Sequence, residues 1–411
     1  MEADPLKGVL DSEGVLTAED GTGGSFRADE REAMRAIDAD VPTPSAALSP
    51  VHGAGRCLIL VNPRAGAVLR SMFPERMQQR FERLRAWRRQ PSSDAEHSSN
   101  GEGTDREKLV EHKTHEKEPE ELPQFLSMLA SAAARAGLEA DVEVVPPPAD
   151  LPELYHSALL AGYDTIVAVG GDGTVRTLAQ GLVSSSLQLG IIPLGTANNI
   201  ARTLDIPSGL EDALRSLANG QAQRIDVGRI GSEYFLEGAG VGLFADVVQR
   251  IGKEELRPYQ LRRMVKIIGP LLWNLRTRTL RLTLDGVVEQ EAAVMVTAAN
   301  GRFLGEGVPI APAALLSDGL FDVIIIGTMT PRDLPAFAWA MLRGKHLQLR
   351  NVRMRQARVV EIERVHRSHR PLPVHADDHI AGHTPCEFRI NPQSLRVIVP
   401  SSDDPASLRR P

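Results

Sequence analysis

At 411 residues the chain is too long for one ordinary hydrophobic core, so two domains are expected. Aromatic residues make up only 4% and the formal net charge is −6, which argues against a base-stacking platform and against general nucleic-acid binding. Two cysteines, Cys57 and Cys386, cannot form a disulfide framework, and no C-x-x-C pair offers a metal site, so a reducing, cytoplasmic setting is expected.

The start, Met1-Glu2-Ala3-Asp4-Pro5, is acidic and lacks the apolar stretch of a signal peptide. No apolar run reaches the roughly 20 residues of a bilayer span. Residues 1–55, rich in Gly, Asp, Glu, Ala and Ser, read as a disordered leader. Order is expected to begin with a buried strand at 57–61. Residues 75–89 have helical spacing and carry Arg76, Arg80, Arg83, Arg85, Arg88 and Arg89. Residues 90–121 are almost devoid of large apolar side chains and read as a flexible insertion.

Beyond it the pattern predicts a helix at 122–136 closed by Gly137, a strand at 140–145, three prolines (Pro146, Pro147, Pro148), a helix at 151–161, a strand at 165–169, a helix at 175–183 and a strand at 189–193. Strands alternating with helices imply an α/β domain over 56–202, an open parallel sheet with helices on both faces, whose ligands bind beyond the carboxyl ends of the strands. From about residue 226 short alternating segments at 227–230, 234–236, 280–284, 293–298, 321–326, 359–362, 373–376, 386–390 and 395–399 predict an antiparallel β-sandwich over 203–400. Helices are expected near 258–275 and 331–343, and residues 401–411 form a tail. The active site is expected between the two domains.

Four segments carry the chemistry. Val61-Asn62-Pro63-Arg64-Ala65-Gly66 is a strand running into a tight turn. Gly170-Gly171-Asp172-Gly173-Thr174 follows a buried strand and precedes a helix, so backbone N–H groups and a helix N-terminus meet where phosphate is attracted. A carboxylate such as Asp172 beside phosphates calls for a divalent cation. The third segment is Pro193-Leu194-Gly195-Thr196-Ala197-Asn198-Asn199, and the fourth runs from Ala311 through Leu315, Asp318-Gly319 and Leu320 to Val323. Taken singly, the second is also compatible with an ordinary strand-to-helix turn and the fourth with a β-turn stabilised by its Asp side chain.

Together and in this order these segments resemble the diacylglycerol-kinase-type lipid kinases, a family that includes bacterial diacylglycerol kinases and sphingosine kinases. The resemblance spans roughly residues 56–400 outside the insertion. It implies that Asn62 and Pro63 abut the nucleotide, that Gly170, Gly171, Asp172, Gly173 and Thr174 cradle ATP phosphates, and that Gly195, Thr196 and Asn198 line the same pocket. It further implies a structural Mg²⁺ held by Asp318 with backbone carbonyls of Leu315 and Leu320. The chain departs from the family in three places. Arg176 and Thr177 stand where relatives have Asn-Glu. The three prolines replace a nucleotide-contacting Thr. Asp377-Asp378-His379 stands where relatives read Asp-Gly-Glu, with the Glu as general base. Aligned directly, His379 takes the place of that Glu; Asp378 is a second candidate, and a plain hairpin turn is a third reading. His366, His369, His375, His379 and His383 fit no helical metal-binding pair and read as loop histidines.

The expected activity is transfer of the ATP γ-phosphoryl group to a lipid hydroxyl, with diacylglycerol giving phosphatidic acid and Mg²⁺ assisting. An NAD kinase and a non-catalytic lipid- or nucleotide-binding regulator remain as alternatives. The membrane is expected to be met peripherally from the cytoplasmic side, through the apolar and basic stretch 256–281 and a second at 334–349, each of which also reads as an ordinary packed helix. No nucleic-acid partner is expected, and a homodimer is left open.

Overall fold

Four strands build the first layer: β1 (Cys57–Val61), β2 (Ala140–Val144), β3 (Thr165–Gly170) and β4 (Gln188–Pro193); apolar residues run without a break through β1, whereas β2, at the edge, alternates apolar and acidic residues. They run parallel in the order β2-β1-β3-β4. Every residue of β1, β3 and β4 is buried, as continuous apolar strands require when helices cover both faces. Those helices are α1 (Glu121–Arg135), α2 (Leu151–Leu160), α3 (Asp172–Ala179), α4 (Asn199–Thr203) and α5 (Leu210–Asn219). The two-residue period of the strands sorts the core. Leu58, Leu60, Ile166 and Ala168 pack with Leu151 and Tyr155 of α2 and Leu178 of α3. Ile59, Val61, Val167 and Val169 pack with Phe125 and Leu129 of α1 and Leu214 and Leu217 of α5. The computed structural model describes residues 53–62, 121–145, 150–251, 266, 269–365 and 370–401. The expected leader, the basic segment 75–89, nearly all of the insertion, Pro63, the three prolines, His366, His369 and most of 256–275 lie outside that set.

The remaining strands are β5 (Gln221–Ile230), β6 (Glu233–Phe235), β7 (Gly238–Gly242), β8 (Arg278–Leu284), β9 (Val287–Ala299), β10 (Phe321–Gly327), β11 (Val352–Ala357), β12 (Val359–Arg364), β13 (Pro373–Ala376), β14 (His379–His383) and β15 (Cys386–Val399). They pair antiparallel, forming the sandwich expected from the alternating pattern. Its interior centres on Phe235, with Phe321 stacked on it at 5.6 Å and Phe388 edge-on at 6.1 Å. Asp285 and Gly286 take φ of 47° and 85° and close the β8–β9 hairpin, as an Asp-Gly turn does. Helices α6 (Leu243–Ile251) and α7 (Leu334–Leu342) are set into this part.

One strand joins the two halves. The start of β15 pairs with β12; its end pairs with β5 and, at Val397, runs parallel beside Leu189 of β4. Leu395, Val397 and Ile398 are thereby buried in the cores of the parallel layer, and α5 packs there too. Residues 210–219 and 395–399 therefore serve the first layer although they follow residue 202 in sequence. Among the described residues no helix is long and apolar enough to cross a membrane.

Candidate active site

The carboxyl ends of β1, β3 and β4 bring the first three segments into contact. Asn62 follows β1, and its Nδ2 donates to Thr174 Oγ1 at 2.8 Å. Gly171 and Gly195 pass backbone to backbone: a Cβ on Gly171 would stand 3.1 Å from Gly195 Cα, and one on Gly195 would collide with Gly171. Gly195 is held in turn by Asn198, which accepts from Gly195 N–H at 2.9 Å and donates to Gly195 C=O at 3.0 Å. Asn198 adopts φ 51°, a left-handed conformation that Asn tolerates. Thr196 is exposed at this rim.

Helix α3 starts earlier than its apolar spacing predicts. Gly171 is the extended N-cap, and Asp172, Gly173 and Thr174 form the first turn. Thr174 N–H and Val175 N–H both donate to Gly171 C=O, at 2.9 and 3.1 Å. The amides left for an anion are those ahead of Thr174, at the positive end of the helix. Asp172 also has a partner that sequence does not reveal: its Oδ1 accepts from Ile200 N–H of α4 at 3.0 Å. Burial pushes its carboxyl up, while the amides of Ile200 and Asn199 pull it down. Thr177 has a local role, its hydroxyl donating to Gly173 C=O at 2.8 Å.

The late segment reaches the same place from the sandwich. Asp377, expected in the catalytic set, is buried at φ 49°, and its carboxylate accepts from Leu236, Glu237 and Gly238 N–H at 2.8–3.2 Å. It holds the turn into β7. Asp378 pairs with Arg176 of α3 at 3.2 Å, and its Oδ2 is 3.4 Å from where a Gly173 Cβ would be. His379 opens β14 with Nε2 2.8 Å from Glu233 Oε2. The departures at 176, 378 and 379 thus meet beside the first turn of α3.

Sequence reasoning missed Glu237. It is buried, and its Oε2 accepts from Asn199 Nδ2 at 3.0 Å. Burial raises its carboxyl well above the usual range, and the negative charges of Asp377 and Asp172 raise it further. Burial likewise pushes Asp377 up to about 6, against the three amides that pull it down. An acidic residue wedged between Leu236 and the Gly238-Ala239-Gly240 run was the available signal.

The fourth segment stands apart. Its turn is tied to β5 and β15, with Asp226 accepting from Gly319 N–H at 2.6 Å and from Gln393 N–H at 2.7 Å. Gly319 has φ 72°, and Asp318 Oδ1 accepts from Leu320 N–H at 3.1 Å, so the side-chain-stabilised turn is present. Asp318 and Leu315 are exposed. Among the described residues no group of three or more His, Cys, Asp or Glu gathers as a metal needs. A site of one carboxylate and backbone carbonyls is a different kind, which Asp318 with the carbonyls of Leu315 and Leu320 would supply to a hard cation. The charge of Asp318 adds to burial in raising Asp226 and Asp322. His375 is buried and His383 exposed, far from a ligand cluster. Burial pushes both thiols, Cys57 and Cys386, up to about 12, which leaves them unreactive.

Comparison with known proteins gives the relationship. Residues 114–230 match the diacylglycerol kinase catalytic domain, and residues 239–399 match the YegS C-terminal NAD kinase beta sandwich-like domain. The chain belongs to the diacylglycerol kinase catalytic-domain family. Among this family's curated members, the diacylglycerol kinase of Bacillus subtilis (strain 168) is 26% identical over 288 residues, covering 67% of this chain and 91% of its own. The diacylglycerol kinase of Staphylococcus aureus (strain JH9) is 26% identical over 292 residues, covering 68% and 87%. A diacylglycerol kinase structure from Bacillus anthracis (strain Sterne) has a TM-score of 0.53 at 20% identity, covering 86% of this chain and 98% of its own. Another structure from that organism reaches a TM-score of 0.59 at 20% identity, covering 89% and 99%. At that identity the structures speak for the fold.

Proposed function

We propose that this lipid kinase moves the γ-phosphoryl group of ATP onto the free hydroxyl of diacylglycerol. The observation that carries the reading is the convergence of Asn62, Gly171–Thr174, Gly195 and Asp378-His379 on one helix N-terminus at the carboxyl edge of a parallel sheet. The free amides of the first turn of α3 and its dipole bind the phosphates. The close Gly171–Gly195 approach leaves no Cβ in the way. Asp172 holds α4 in place and adds negative charge beside the phosphates. Mg²⁺ accompanying ATP supplies charge neutralisation as phosphoryl transfer proceeds. Asp318, with the carbonyls of Leu315 and Leu320, would hold a second, structural Mg²⁺ in the sandwich.

The acceptor hydroxyl needs a base. Asp378 is already paired with the Arg176 guanidinium at 3.2 Å. His379 Nδ1 makes no hydrogen bond. The geometry therefore favours His379. Resemblance to enzymes named diacylglycerol kinase supports a lipid acceptor over a dinucleotide.

The membrane contact rests on α7. It is apolar throughout, and none of its residues is buried. Leu334, Phe337 and Met341 lean on the sandwich, while Trp339 and Leu342 are 58% and 79% exposed. Arg343 stacks over Trp339 at 4.2 Å, and Lys345 follows. Trp273 is 80% exposed. An outward apolar face edged by cations suits an anionic bilayer.

The test is incubation of the full chain with γ-labelled ATP, magnesium and vesicles of diacylglycerol in phosphatidylglycerol, with NAD⁺ present. Label is expected in phosphatidic acid, with the protein sedimenting on the vesicles. Label in NADP⁺, or none outside ATP with any lipid, overturns the reading.

A further inference from the structure

The two nitrogens of His379 sit in unlike settings. Nε2 is 2.8 Å from Glu233 Oε2 on β6. Nδ1 is buried, has no hydrogen-bond partner and lies 3.9 Å from Asp378 Oδ1. A carboxylate only accepts, so in the neutral ring Nε2 carries the hydrogen and Nδ1 keeps the lone pair. The fold delivers Glu233 to this point by way of α3. Strand β6 has three residues, and the Gln180 side-chain amide, just past α3, clamps it by accepting from Tyr234 N–H at 2.9 Å and donating to Tyr234 C=O at 2.8 Å. The same helix holds Asp378 through Arg176. The Glu233–His379 pair is thus fixed from two sides to the helix whose N-terminus faces the phosphates.

We propose that Glu233 is a positioning residue: it holds Nε2–H of His379 and so presents Nδ1 as the proton acceptor for the lipid hydroxyl. This rests on the lipid-kinase reading above. In the step, the hydroxyl oxygen bonds to the γ-phosphorus as the bond to the β,γ-bridging oxygen breaks, and that electron pair leaves with ADP. The hydroxyl proton passes to Nδ1 and is later released to water. The carboxylate nearest to Nδ1, Asp378 at 3.9 Å, is on an exposed side chain. The charged or titratable groups near the ring are Glu233 from β6, Asp378 from its own hairpin, itself paired with Arg176 of α3, and His375 from β13. The unit is a base oriented by a carboxylate, as hydrolytic triads use it.

The test compares Glu233→Ala, Glu233→Gln and His379→Gln in the full chain. Glu233→Ala is expected to lower kcat by about 10–100-fold, the range for lost outer-shell partners of a functional His, with KM for ATP and lipid unchanged. Glu233→Gln, whose amide oxygen still accepts from Nε2–H, recovers much of that loss. Combining Glu233→Ala with His379→Gln costs no more than His379→Gln alone. Long-range ¹H–¹⁵N spectra of ¹⁵N-histidine protein, assigned with His379→Gln, are expected to show the Nε2–H tautomer. An unchanged kcat in Glu233→Ala, or an Nδ1–H tautomer in the wild type, overturns the proposal. The spectra need no turnover, so they are independent of the lipid-kinase reading, which fails if the wild type phosphorylates no lipid.

Discussion

Asp172→Asn is expected to lower kcat for lipid phosphorylation roughly a thousandfold while leaving the fold intact. The reason lies in the two things this carboxylate does. Its Oδ1 accepts from Ile200 N–H at 3.0 Å, and an Asn oxygen can take that bond over. Its negative charge, which would hold the divalent cation of ATP beside the phosphate-binding amides, cannot be replaced by an amide. Asp172→Ala removes both, leaving Ile200 N–H without its acceptor, and is expected to cost about 1–3 kcal/mol of stability as well. Circular dichroism and denaturant titration read the stability; steady-state kinetics reads the transfer. If Asp172→Asn keeps full activity, the residue is only a clamp for α4 and has no part in phosphoryl transfer.

The largest effect on stability is expected at Asp377. Its carboxylate is the acceptor for three buried amides, those of Leu236, Glu237 and Gly238. It also sits at φ 49°, where Ala is strained and Asn is not. Asp377→Ala should therefore destabilise by about 3–5 kcal/mol, and Asp377→Asn by less, since Asn keeps an acceptor and the turn. Denaturant midpoints of the two variants separate these outcomes; equal, small losses would contradict the clamp.

The pair Asp377–Glu237 also sets a pH dependence. Both carboxyls are raised in the folded chain, Asp377 from 3.8 to about 6, chiefly by burial. A raised acid stabilises the fold fully below its unfolded value and loses that contribution as pH climbs through its folded value. For Asp377 this part of the stability is thus complete below pH 3.8 and lost as pH rises through about 6; for Glu237 the loss runs in the same direction. Glu237→Gln removes the buried charge and should gain about 1–2 kcal/mol on the wild type at pH 8, with the gain shrinking toward pH 5. A difference that does not change with pH would contradict the buried, coupled pair.

The parallel layer was legible because three of its strands are buried on both faces and its helices keep a clear period. Cys57–Val61 and Thr165–Gly170 need no partner to be recognised. Strand β7 was not legible: three of its five residues are glycine, so neither alternation nor β-propensity marks it. Its glycines are required by packing, since a Cβ on Gly240 would strike Val296 C=O of β9. The hairpin end at His379–His383 read as loop because its polar and small residues carry no apolar face, yet it pairs with β13. Strand β15 read as two because Pro392 and Gln393, the latter at φ 49°, bend it between its two pairings.

The same division holds for the site. Asn62, the glycines of 170–173 and Gly195 announce themselves, since tight turns after buried strands admit few residues. What no local pattern reveals is a partner distant in sequence: Ile200 for Asp172, Leu236 to Gly238 for Asp377, Asn199 for Glu237, Glu233 for His379. The departures at Arg176, Asp378 and His379 looked unrelated along the chain. In the fold Arg176 binds Asp378, and Asp378 adjoins His379, so they form one altered corner.

All of this depends on the first turn of α3 gripping a triphosphate. Calorimetric titration of ATP into the full chain at saturating magnesium should show uptake of one nucleotide per chain, with Kd between about 1 μM and 1 mM. No saturable heat up to millimolar ATP, with the protein shown to be folded, would mean that these amides hold no nucleotide and that the chain is not a kinase of this kind.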